Sequence, residues 1–319
     1  MPLPERELLQ QLRRAVRGKN AILGIGDDCA ILRVPADHEA LVTTDLSLEG
    51  VHFRRDWQSP GCIGHRCLAR GLSDIAAMGG RPIAAFLSLA LPKNVPQRWV
   101  DRFFAGLLRL ADRYGVELAG GDTSQSPGGV LADITVLGSV AKSKALRRSG
   151  ARIGDRIYVT GALGESAAGL QLLTRKKIKR RDVLPEPRIA VGEWLIEERT
   201  ATACIDISDG LSTDLAHICE ESGVGAVVDA AAIPVHSSAR KLVSALDLAL
   251  HGGEDYELVF TAPKTARIPS RVAGVEIRQI GEITSGKAVR ISQNGRIHML
   301  MSRGWEHFRQ EDKRRNRRR

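Results

Sequence analysis

The sequence is poor in aromatic residues and contains no long apolar run. Phe, Trp and Tyr together make up 4% of the 319 residues, so Leu, Ile, Val and Ala must fill most of a buried core. No stretch approaches about 18 consecutive apolar residues, which excludes a conventional membrane-spanning helix. Charges interrupt the opening segment MPLPERELLQQLRRAV, so we expect neither a secretory signal peptide nor a membrane partner.

Cysteine is also scarce. The chain has five cysteines, and an odd number scattered over a long chain favours reduced thiols in the cytoplasm over a disulfide framework. Cys62, His65 and Cys67 lie close together, as the ligands of a zinc site can. No second ligand pair accompanies them, so we favour cysteines in a helical core and keep a zinc site as the alternative.

The excess of positive charge is confined to two segments. The formal net charge is +10, and the basic runs at 175–181 and 313–319 together hold twelve Lys and Arg residues. The rest of the chain therefore carries no positive excess, and such runs are usually solvated. We expect no nucleic-acid partner beyond weak contact by the basic tail, and an RNA-associated role is the alternative from a different functional class.

The pattern of apolar residues predicts a mixed α/β chain of two domains. Helical spacing predicts helices at 3–18, 60–78, 96–114, 188–199, 210–222 and 237–249. Short apolar runs predict strands between these helices, the segment 275–298 is typical of a β-hairpin, and the stretch from 175 to Pro187 is expected to be an exposed loop. We therefore predict domains at 1–148 and 149–312, followed by a tail at 313–319.

Acidic residues recur beside glycine and at the ends of apolar segments. They are Asp27, Asp28, Asp45, Asp74, Asp122, Asp206, Asp209, Glu254 and Asp255. Glycine lets a backbone approach a ligand closely, and carboxylates supply hard oxygen ligands. Any one of these motifs alone is better explained as a turn or a helix cap. Their recurrence in one chain favours a common acidic site.

Two of these carboxylates point to the chemistry of the site. Asp45 in LVTTD and Asp206 in CIDIS end short apolar strands, where a rigid scaffold would direct them into a cleft. Carboxylates gathered there would repel one another unless a divalent cation is bound, and ligands that are all oxygen favour magnesium. Because magnesium held by carboxylates most often accompanies a phosphate-bearing substrate, these residues predict a phosphoryl-transfer enzyme.

Eight segments of the chain, in this order, resemble the thiamine-monophosphate kinases. They are GIGDDCAIL, TTDLSLEGVHF, LARGLSDIAAMGG, GGDTSQSP, ALRRSGARIGDRIYVTGALGESAAGL, IDISDGLSTDL, GGEDYELVFT and the later GWEHF. The resemblance covers nearly the whole chain, and the combination is highly specific. Single segments recur in the wider aminoimidazole-ribonucleotide synthetase-like superfamily.

The resemblance implies a fold, an activity and an assembly. The expected fold is the two-domain α/β (mixed α+β) aminoimidazole-ribonucleotide synthetase-like fold, whose N-terminal domain binds metal and ATP and pairs into a β-barrel homodimer. The expected reaction is the direct transfer of the γ-phosphoryl group of ATP to thiamine monophosphate, giving thiamine diphosphate and ADP. Several Mg²⁺ ions would assist, and ATP would be the co-substrate.

The resemblance also assigns roles to single residues. Magnesium would be held by Asp28, Thr43, Thr44, Asp45, Asp74, Asp122, Asp206 and Asp209, of which Asp45 and Asp209 would be catalytic. ATP would contact Phe104, Gly121, Asp122, Arg148 and Ser208. Thiamine monophosphate would contact His52, Glu254 and Trp305. The alternatives are a plain core position for Phe104 and an ordinary half-buried histidine for His52.

The sequence departs from the family pattern near its C-terminus, and other branches of the superfamily fit less well. Ser302 stands where an aromatic residue often stacks on the substrate, which leaves Trp305 as the nearby aromatic. The opening segment lacks the reactive cysteine and lysine expected of selenophosphate synthetases. Hydrogenase-maturation dehydratases carry a C-terminal cysteine, whereas this sequence ends in Arg319. Aminoimidazole-ribonucleotide synthetases share the architecture but match GIGDDCA and GGEDYEL less closely.

Overall fold

A computed structural model describes residues 2–16, 21–25 and 29–305. Within these ranges no helix is both long enough and apolar enough to cross a membrane. Asp27, Asp28 and the basic tail at 313–319 lie outside them, so the metal role of Asp28 and the weak nucleic-acid contact of the tail stay predictions.

The N-terminal half is built around a four-stranded sheet with the strand order β3-β6-β4-β5. Helix α1 (Glu5–Ala15) and a small sheet of β1 (Ala21–Leu23) and β2 (Ile31–Leu32) precede it. The four strands are β3 (His38–Leu48), β4 (Arg81–Leu91), β5 (Glu117–Gln125) and β6 (Leu131–Ala141). β4 and β5 run parallel, and the other pairs are antiparallel. β3 and β5 are therefore the two edges of this sheet.

Two helices, α2 (Pro60–Ala77) and α3 (Gln97–Tyr114), cover one face of the sheet. The predicted start of α2 is confirmed, because the Ser59 side chain accepts a hydrogen bond from Cys62 N at 3.2 Å and Pro60 follows it. α3 ends at Gly115, which has the left-handed φ of 63° that suits glycine at a helix end. Local capping signals thus determine the start of α2 and the end of α3.

Glycines bring α2 and α3 into close contact. A Cβ atom on Gly64 would overlap the carbonyl oxygen of Phe103, and one on Gly106 would overlap the backbone of Gly61. On α2, Leu68 is fully buried in the larger hydrophobic core. Helix α2 is therefore held firmly from two sides, which matters because it carries several residues of the site described below.

The C-terminal half contains a larger mixed sheet with the strand path β14-β13-β9-β12-β7-β10-β8, and β11 pairs with β12 beside it. The strands are β7 (Arg156–Thr160), β8 (Ala203–Asp206), β9 (Gly225–Asp229), β10 (Leu258–Ala262), β11 (Arg271–Val272), β12 (Val275–Thr284), β13 (Val289–Gln293) and β14 (Arg296–Met299). The helices are α4 (Glu165–Thr174), α5 (Ile189–Glu197), α6 (Leu211–Ser222), α7 (Ser237–Arg240) and α8 (Ala245–His251). The boundary predicted after residue 148 falls in the connection between β6 and β7, and this domain division stays a prediction.

Two predicted elements of the C-terminal half are wrong in detail. The single helix expected at 237–249 is two short helices, α7 and α8. The hairpin expected at 275–298 does not form as one unit, because β12 and β13 lie on opposite sides of β9. The hairpin is β13–β14, which turns through Asn294 and Gly295 with φ values of 51° and 74°. Alternation of apolar residues identifies strands but does not choose their partners.

The loop expected to be exposed from 175 to Pro187 is exposed mainly in its basic first part. Val183 and Pro185 are buried against α2. The Cys62 thiol donates a hydrogen bond to the Val183 carbonyl at 3.3 Å, and His65 Nε2 lies 2.8 Å from the Pro185 carbonyl. Cys62 and His65 therefore join the two halves of the chain through backbone carbonyls.

Candidate active site

The first group of acidic residues lies where β3 meets α2. Thr43 and Asp45 are two residues apart on β3, so both project from the face that packs on α2. Thr43 Oγ1 donates a hydrogen bond to Asp74 Oδ2, near the C-terminal end of α2. Asp45 is close enough to Asp74 for the two charges to interact. The structure thus brings Thr43, Asp45 and Asp74 together.

The second group comes from the C-terminal half. Asp206 ends β8, is 3% exposed, and accepts a hydrogen bond from Ser73 Oγ of α2 at 2.8 Å. Asp209 follows in the loop before α6, and its charge also acts on Asp45. The two groups therefore meet at the boundary between the halves, with α2 between them.

Burial and mutual repulsion raise the pKa values of these carboxyl groups. Burial raises the pKa of Asp45 to about 6, and the charges of Asp74 and Asp209 add to the rise, whereas the Arg70 guanidinium opposes it. Burial, with the charge of Asp74, raises the pKa of Asp206 well above its ordinary value. A cluster of this kind favours bound protons or a divalent cation that offsets the negative charge.

The loop that carries Asp209 is held by Asp214 of α6. Asp214 Oδ2 accepts hydrogen bonds from the backbone N–H groups of Asp209 at 3.2 Å and Gly210 at 2.9 Å. Asp209, Asp214 and His217 each offer a ligand atom, and these atoms all lie within 4.8 Å of one another. Asp214 and His217 are not among the predicted site residues, although their spacing of three residues on the predicted helix at 210–222 places them on one face.

The GGEDYE segment runs beside the strand end that carries Asp206. Glu254 N donates to the Ser208 carbonyl at 2.8 Å, and Tyr256 N donates to the Ile207 carbonyl at 3.0 Å. These bonds continue the pairing of β10 with β8 beyond the sheet. Glu254 and Ser208, which are far apart in sequence, are therefore neighbours.

Glu254 and His52 form the part of the site assigned to thiamine monophosphate. The Glu254 side chain is 33% exposed and pairs with Arg66 and Arg70 of α2. His52 Nδ1 accepts a hydrogen bond from the Leu48 N–H at 3.0 Å, and its charge acts on Glu254. Both predicted residues thus lie near each other, on opposite halves of the chain.

The adjacent Asp255 has a structural partner. Its carboxylate accepts the backbone N–H of Gly164 at 2.6 Å and that of Ser166 at 3.4 Å, at the start of α4. The glycine turn before α4 therefore already binds a carboxyl group from within the chain, and burial raises the pKa of that group to about 7.

The C-terminal segment packs on the Asp209 loop. Trp305 N donates to the Asp209 carbonyl at 3.2 Å, and Gly304 N donates to Thr213 Oγ1 at 3.1 Å. Gly304 is required at this point, because a Cβ atom would overlap the Asp209 carbonyl. Ser302 Oγ donates to the Ser212 carbonyl at 3.4 Å, and the Trp305 side chain is 54% exposed at the edge of the site.

Asp122 and Gly121 lie at the opposite edge of the N-terminal sheet. Asp45 is opposite Ile134, Ile134 is opposite Leu87, and Leu87 is opposite Gly121. Three strand spacings, roughly 14 Å in total, therefore separate Asp45 from Gly121. Asp122 is the next residue on the edge strand β5. A single copy of the chain does not bring it to Asp45.

Three further predicted residues are placed differently from the acidic group. The Thr44 side chain projects from the other face of β3, where its hydroxyl donates to Asp133 Oδ1 at 2.9 Å, so its predicted ligand role rests on the backbone oxygen. Phe104 is 5% exposed and lies edge-on to Phe103 in the core. This is the plain core position that was the alternative to a contact with ATP. Arg148 is exposed, and its charge acts on Asp74.

Three residues of α2 also lie in the site although they are not among the predicted site residues. Arg66, Arg70 and Ser73 each contact a carboxylate of the C-terminal half, either Glu254 or Asp206. A usable signal was present, because residues 66, 70, 73 and 74 recur at helical spacing on the predicted helix at 60–78.

Comparison with known families matches both halves of the chain. The family described as AIR synthase related protein, N-terminal domain, matches residues 26–140, and the corresponding C-terminal domain matches residues 152–293. The thiamine-monophosphate kinase of Escherichia coli (strain K12) is 38% identical over 304 residues, which cover 90% of this chain and 92% of the relative.

Solved structures agree with these matches. The thiamine-monophosphate kinase from Stenotrophomonas maltophilia K279a superposes with a TM-score of 0.81 and 36% identity, over 91% of this chain and 97% of that chain. The structure described as "AaThiL complexed with AMPPCP and TMP" has a TM-score of 0.77 and 31% identity, over 97% of this chain and 99% of that chain. By sequence and by fold, the chain belongs to the thiamine-monophosphate kinase family.

Proposed function

We propose that the chain transfers the γ-phosphoryl group of ATP directly to thiamine monophosphate and so forms thiamine diphosphate and ADP. The observation that carries the proposal is the meeting of Asp45, Asp74, Asp206 and Asp209 beside Glu254 at the boundary between the halves. The relatives supply the two substrates, since they bear this activity in their names and one was solved with AMPPCP and TMP.

The donor atoms fit magnesium. They are hydroxyl, carbonyl and carboxylate oxygens, which Mg²⁺ prefers, and the raised pKa of Asp45, to about 6, reflects buried negative charge that a divalent cation offsets. We assign several Mg²⁺ ions to Asp28, Thr43, Thr44, Asp45, Asp74, Asp122, Asp206 and Asp209. When bound, magnesium neutralises the phosphates and helps to align donor and acceptor.

The protein side chains bind and orient the two substrates. No side chain needs to act as a strong base, because the acceptor atom is already a phosphate oxygen. Arg148, which is exposed beside Asp74, adds positive charge where the ATP phosphates are expected. His52 and Glu254 orient the thiamine monophosphate, and the exposed Trp305 offers a stacking surface beside the Asp209 loop.

A second copy of the chain completes this proposal. The outer face of the N-terminal sheet exposes apolar side chains on the edge strand β3, with Val42 at 64% and Leu46 at 47% exposed. An apolar sheet face of this kind is typical of an interface. We therefore propose a homodimer in which the two N-terminal sheets pair into a barrel, so that Asp122 of one protomer lies near Asp45 of its partner.

A product assay tests the proposed reaction. Purified protein is incubated with ATP, Mg²⁺ and thiamine monophosphate, and thiamine diphosphate and ADP are quantified, with free thiamine and a magnesium-free sample as controls. We expect near-equal amounts of the two products only when magnesium and thiamine monophosphate are both present. Protein that binds ATP but forms no thiamine diphosphate would show that thiamine monophosphate is not the acceptor. Other phosphate or carboxylate compounds would then be tested as acceptors.

A further inference from the structure

Two arginines of α2 hold both oxygens of the Glu254 carboxylate. Arg66 and Arg70 are four residues apart, so they lie on the same face of the helix, one turn from each other. Arg66 Nη2 lies 2.6 Å from Glu254 Oε2, and Arg70 Nη2 lies 2.9 Å from Oε1. Only 6% of Arg66 and 8% of Arg70 is exposed, whereas the Glu254 side chain is 33% exposed. The arginines therefore lie behind a carboxylate that faces the solvent.

Each arginine is itself anchored by a second set of bonds. Arg66 Nη1 donates to the Val183 carbonyl at 3.3 Å and to Ser166 Oγ at 3.4 Å, and Ser166 Oγ in turn donates to the Glu254 carbonyl at 2.8 Å. Arg70 Nη1 donates to the carbonyl of Leu46, the residue after Asp45. Arg70 thus joins the strand that carries a proposed metal ligand to the loop that carries Glu254.

The backbone at Glu254 is in an unusual conformation. Its φ is 64° and that of Tyr256 is 52°, in the left-handed region that residues other than glycine adopt uncommonly. Glu254 N is bonded to the Ser208 carbonyl, and a Cβ atom on the preceding Gly253 would lie 2.5 Å from the same oxygen. Backbone strain of this kind persists where surrounding contacts over-determine it, and it concentrates at functional sites.

The charges of the cluster favour an ionised Glu254. Burial would raise its pKa, but the nearby Arg66, Arg70 and His52 outweigh this effect, so the pKa lies below its ordinary value. Two guanidinium groups against one carboxylate also leave positive charge beside Asp45 and Asp74. Arg70 Nε is buried and makes no hydrogen bond among the described residues, so the side chain is kept in place at some energetic cost.

We propose that Arg66 and Arg70 are positioning residues, which fix Glu254 in one orientation so that its exposed edge accepts the cationic or N–H-bearing ring of the phosphorylated acceptor. The inference rests on the proposed function and extends it, because it names what determines the geometry of the acceptor subsite. Each guanidinium donates one N–H group to Glu254 and another to a backbone carbonyl, that of Val183 for Arg66 and that of Leu46 for Arg70. An ammonium group, with a single nitrogen, would hold the carboxylate less rigidly.

A double-mutant cycle tests the placement. Arg66→Met, Arg70→Met and Glu254→Gln are each made alone, and each arginine variant is combined with Glu254→Gln. We expect Arg66→Met and Glu254→Gln to raise the KM for thiamine monophosphate by about tenfold or more, while the KM for ATP changes by less than about twofold. Arg70→Met should raise the KM for thiamine monophosphate by a similar factor. The double variant of Arg66→Met and Glu254→Gln should be no worse than Glu254→Gln alone, because Arg66 acts through Glu254.

The chain offers a matched control. Arg81 of β4 pairs with Glu193 of α5 at 2.8 Å, so it also joins the two halves, but its side chain is 75% exposed. Arg81→Met should leave both KM values unchanged. Arg66→Lys and Arg70→Lys keep the charge but offer a single nitrogen, so they should raise the acceptor KM by less than the methionine variants. They decide the question if the methionine variants do not fold.

The outcomes separate the inference from the proposed function. Wild-type protein that forms no thiamine diphosphate would overturn the proposed function itself. An active wild type whose arginine variants keep the wild-type KM for thiamine monophosphate would overturn only the positioning role. That role would also be overturned if Arg66→Met raises the KM values for both substrates equally, or if the effects of the Arg66 and Glu254 variants multiply in the double variant.

Discussion

Single carboxylates in this site are placed where they destabilise the metal-free protein. Asp206 is 3% exposed and Asp45 is close to Asp74 and Asp209, so each resists ionisation. Such groups stay in a protein when binding a charged ligand outweighs their cost to stability. Because these pKa values are raised, a bound cation would stabilise the site most at a pH at which the carboxyl groups are ionised.

The first residue-scale prediction concerns turnover. Asp209→Asn removes one negative charge from the loop that Asp214 and the C-terminal segment hold in place. We expect kcat to fall by at least about 100-fold at saturating magnesium, because charge neutralisation dominates phosphoryl transfer. Asp112→Asn on the exposed side of α3 is the control and should have wild-type kcat. Full activity of Asp209→Asn would show that Asp209 is not a ligand of the catalytic metal.

The second prediction concerns pH. Because the folded-state pKa of Asp45 is raised to about 6, its stabilising contribution is complete below about pH 4 and is lost as the pH rises through about 6. The metal-free Asp45→Asn variant should therefore have a Tm about 2–4 °C above that of the metal-free wild type at pH 8, with a smaller difference at pH 5.

The wild type must be compared with Asp45→Asn, because other titrating groups change the stability of the protein with pH in the opposite direction. Burial lowers the pKa values of His65 and His251, so their contribution to stability is lost at low pH instead.

The wild-type Tm should also rise more on adding Mg²⁺ at pH 8 than at pH 5, measured by scanning fluorimetry. An equal difference in Tm between the metal-free wild type and Asp45→Asn at both pH values would argue against the raised pKa of Asp45.

At the scale of elements, helix α2 organises the site. Its residues contact the strand that carries Asp45, the carboxylate of Asp206, and Glu254. Its position depends in turn on α3, since the two helices meet through Gly64 and Gly106 with no room for a side chain. A shift of α2 by a fraction of an ångström would therefore move both halves of the site relative to each other.

The prediction at this scale compares two glycines of α2. Gly64→Ala would force the helices apart and should lower the free energy of unfolding by about 1–3 kcal/mol, with a loss of activity. Gly61→Ala is the matched control, because its Cβ would lie 3.5 Å from the nearest atom, the Arg102 carbonyl oxygen. It should be neutral or stabilising by less than about 1 kcal/mol. Urea unfolding measures both, and equal effects would contradict the role of close helix packing.

At the scale of the whole molecule, one copy leaves the predicted site divided. Asp45 and Asp122 are on opposite edge strands of one sheet, yet the resemblance assigns both to magnesium. The exposed Val42 and Leu46 on the outer face of the same sheet indicate where a second copy would pack. The dimer proposal accounts for both observations.

Mixed dimers test this arrangement. Asp45→Asn and Asp122→Asn should each be inactive alone, and co-expression should restore about one quarter of the wild-type activity, because half of the dimers then contain one intact site. Restoration would show that the two carboxylates come from different protomers. Without restoration, in mixtures proven to contain hybrid dimers, both residues would have to act within one protomer or Asp122 would lie outside the site.

Residue types and local spacings were enough to predict the composition of the site and most of the helices and strands. Capping signals such as Ser59-Pro60 and Gly115 act locally, so the bounds of α2 and α3 could be predicted closely. The resemblance of motifs such as DISDG and GGEDYE identified the family, and carboxylate chemistry pointed to magnesium. These inferences depend on residue types and short spacings, which a sequence displays directly.

Which of these residues lie together depends on the three-dimensional fold. The partners of β12 and β13, the side on which Thr44 projects, the distance between Asp45 and Asp122, and the contact of Arg66 and Arg70 with Glu254 all depend on pairing between distant segments. Long-range pairing is set by the packing of whole faces, and a shift of one residue along a strand reverses every side chain. The chemistry of the site could therefore be predicted from local sequence, whereas its geometry depends on the fold.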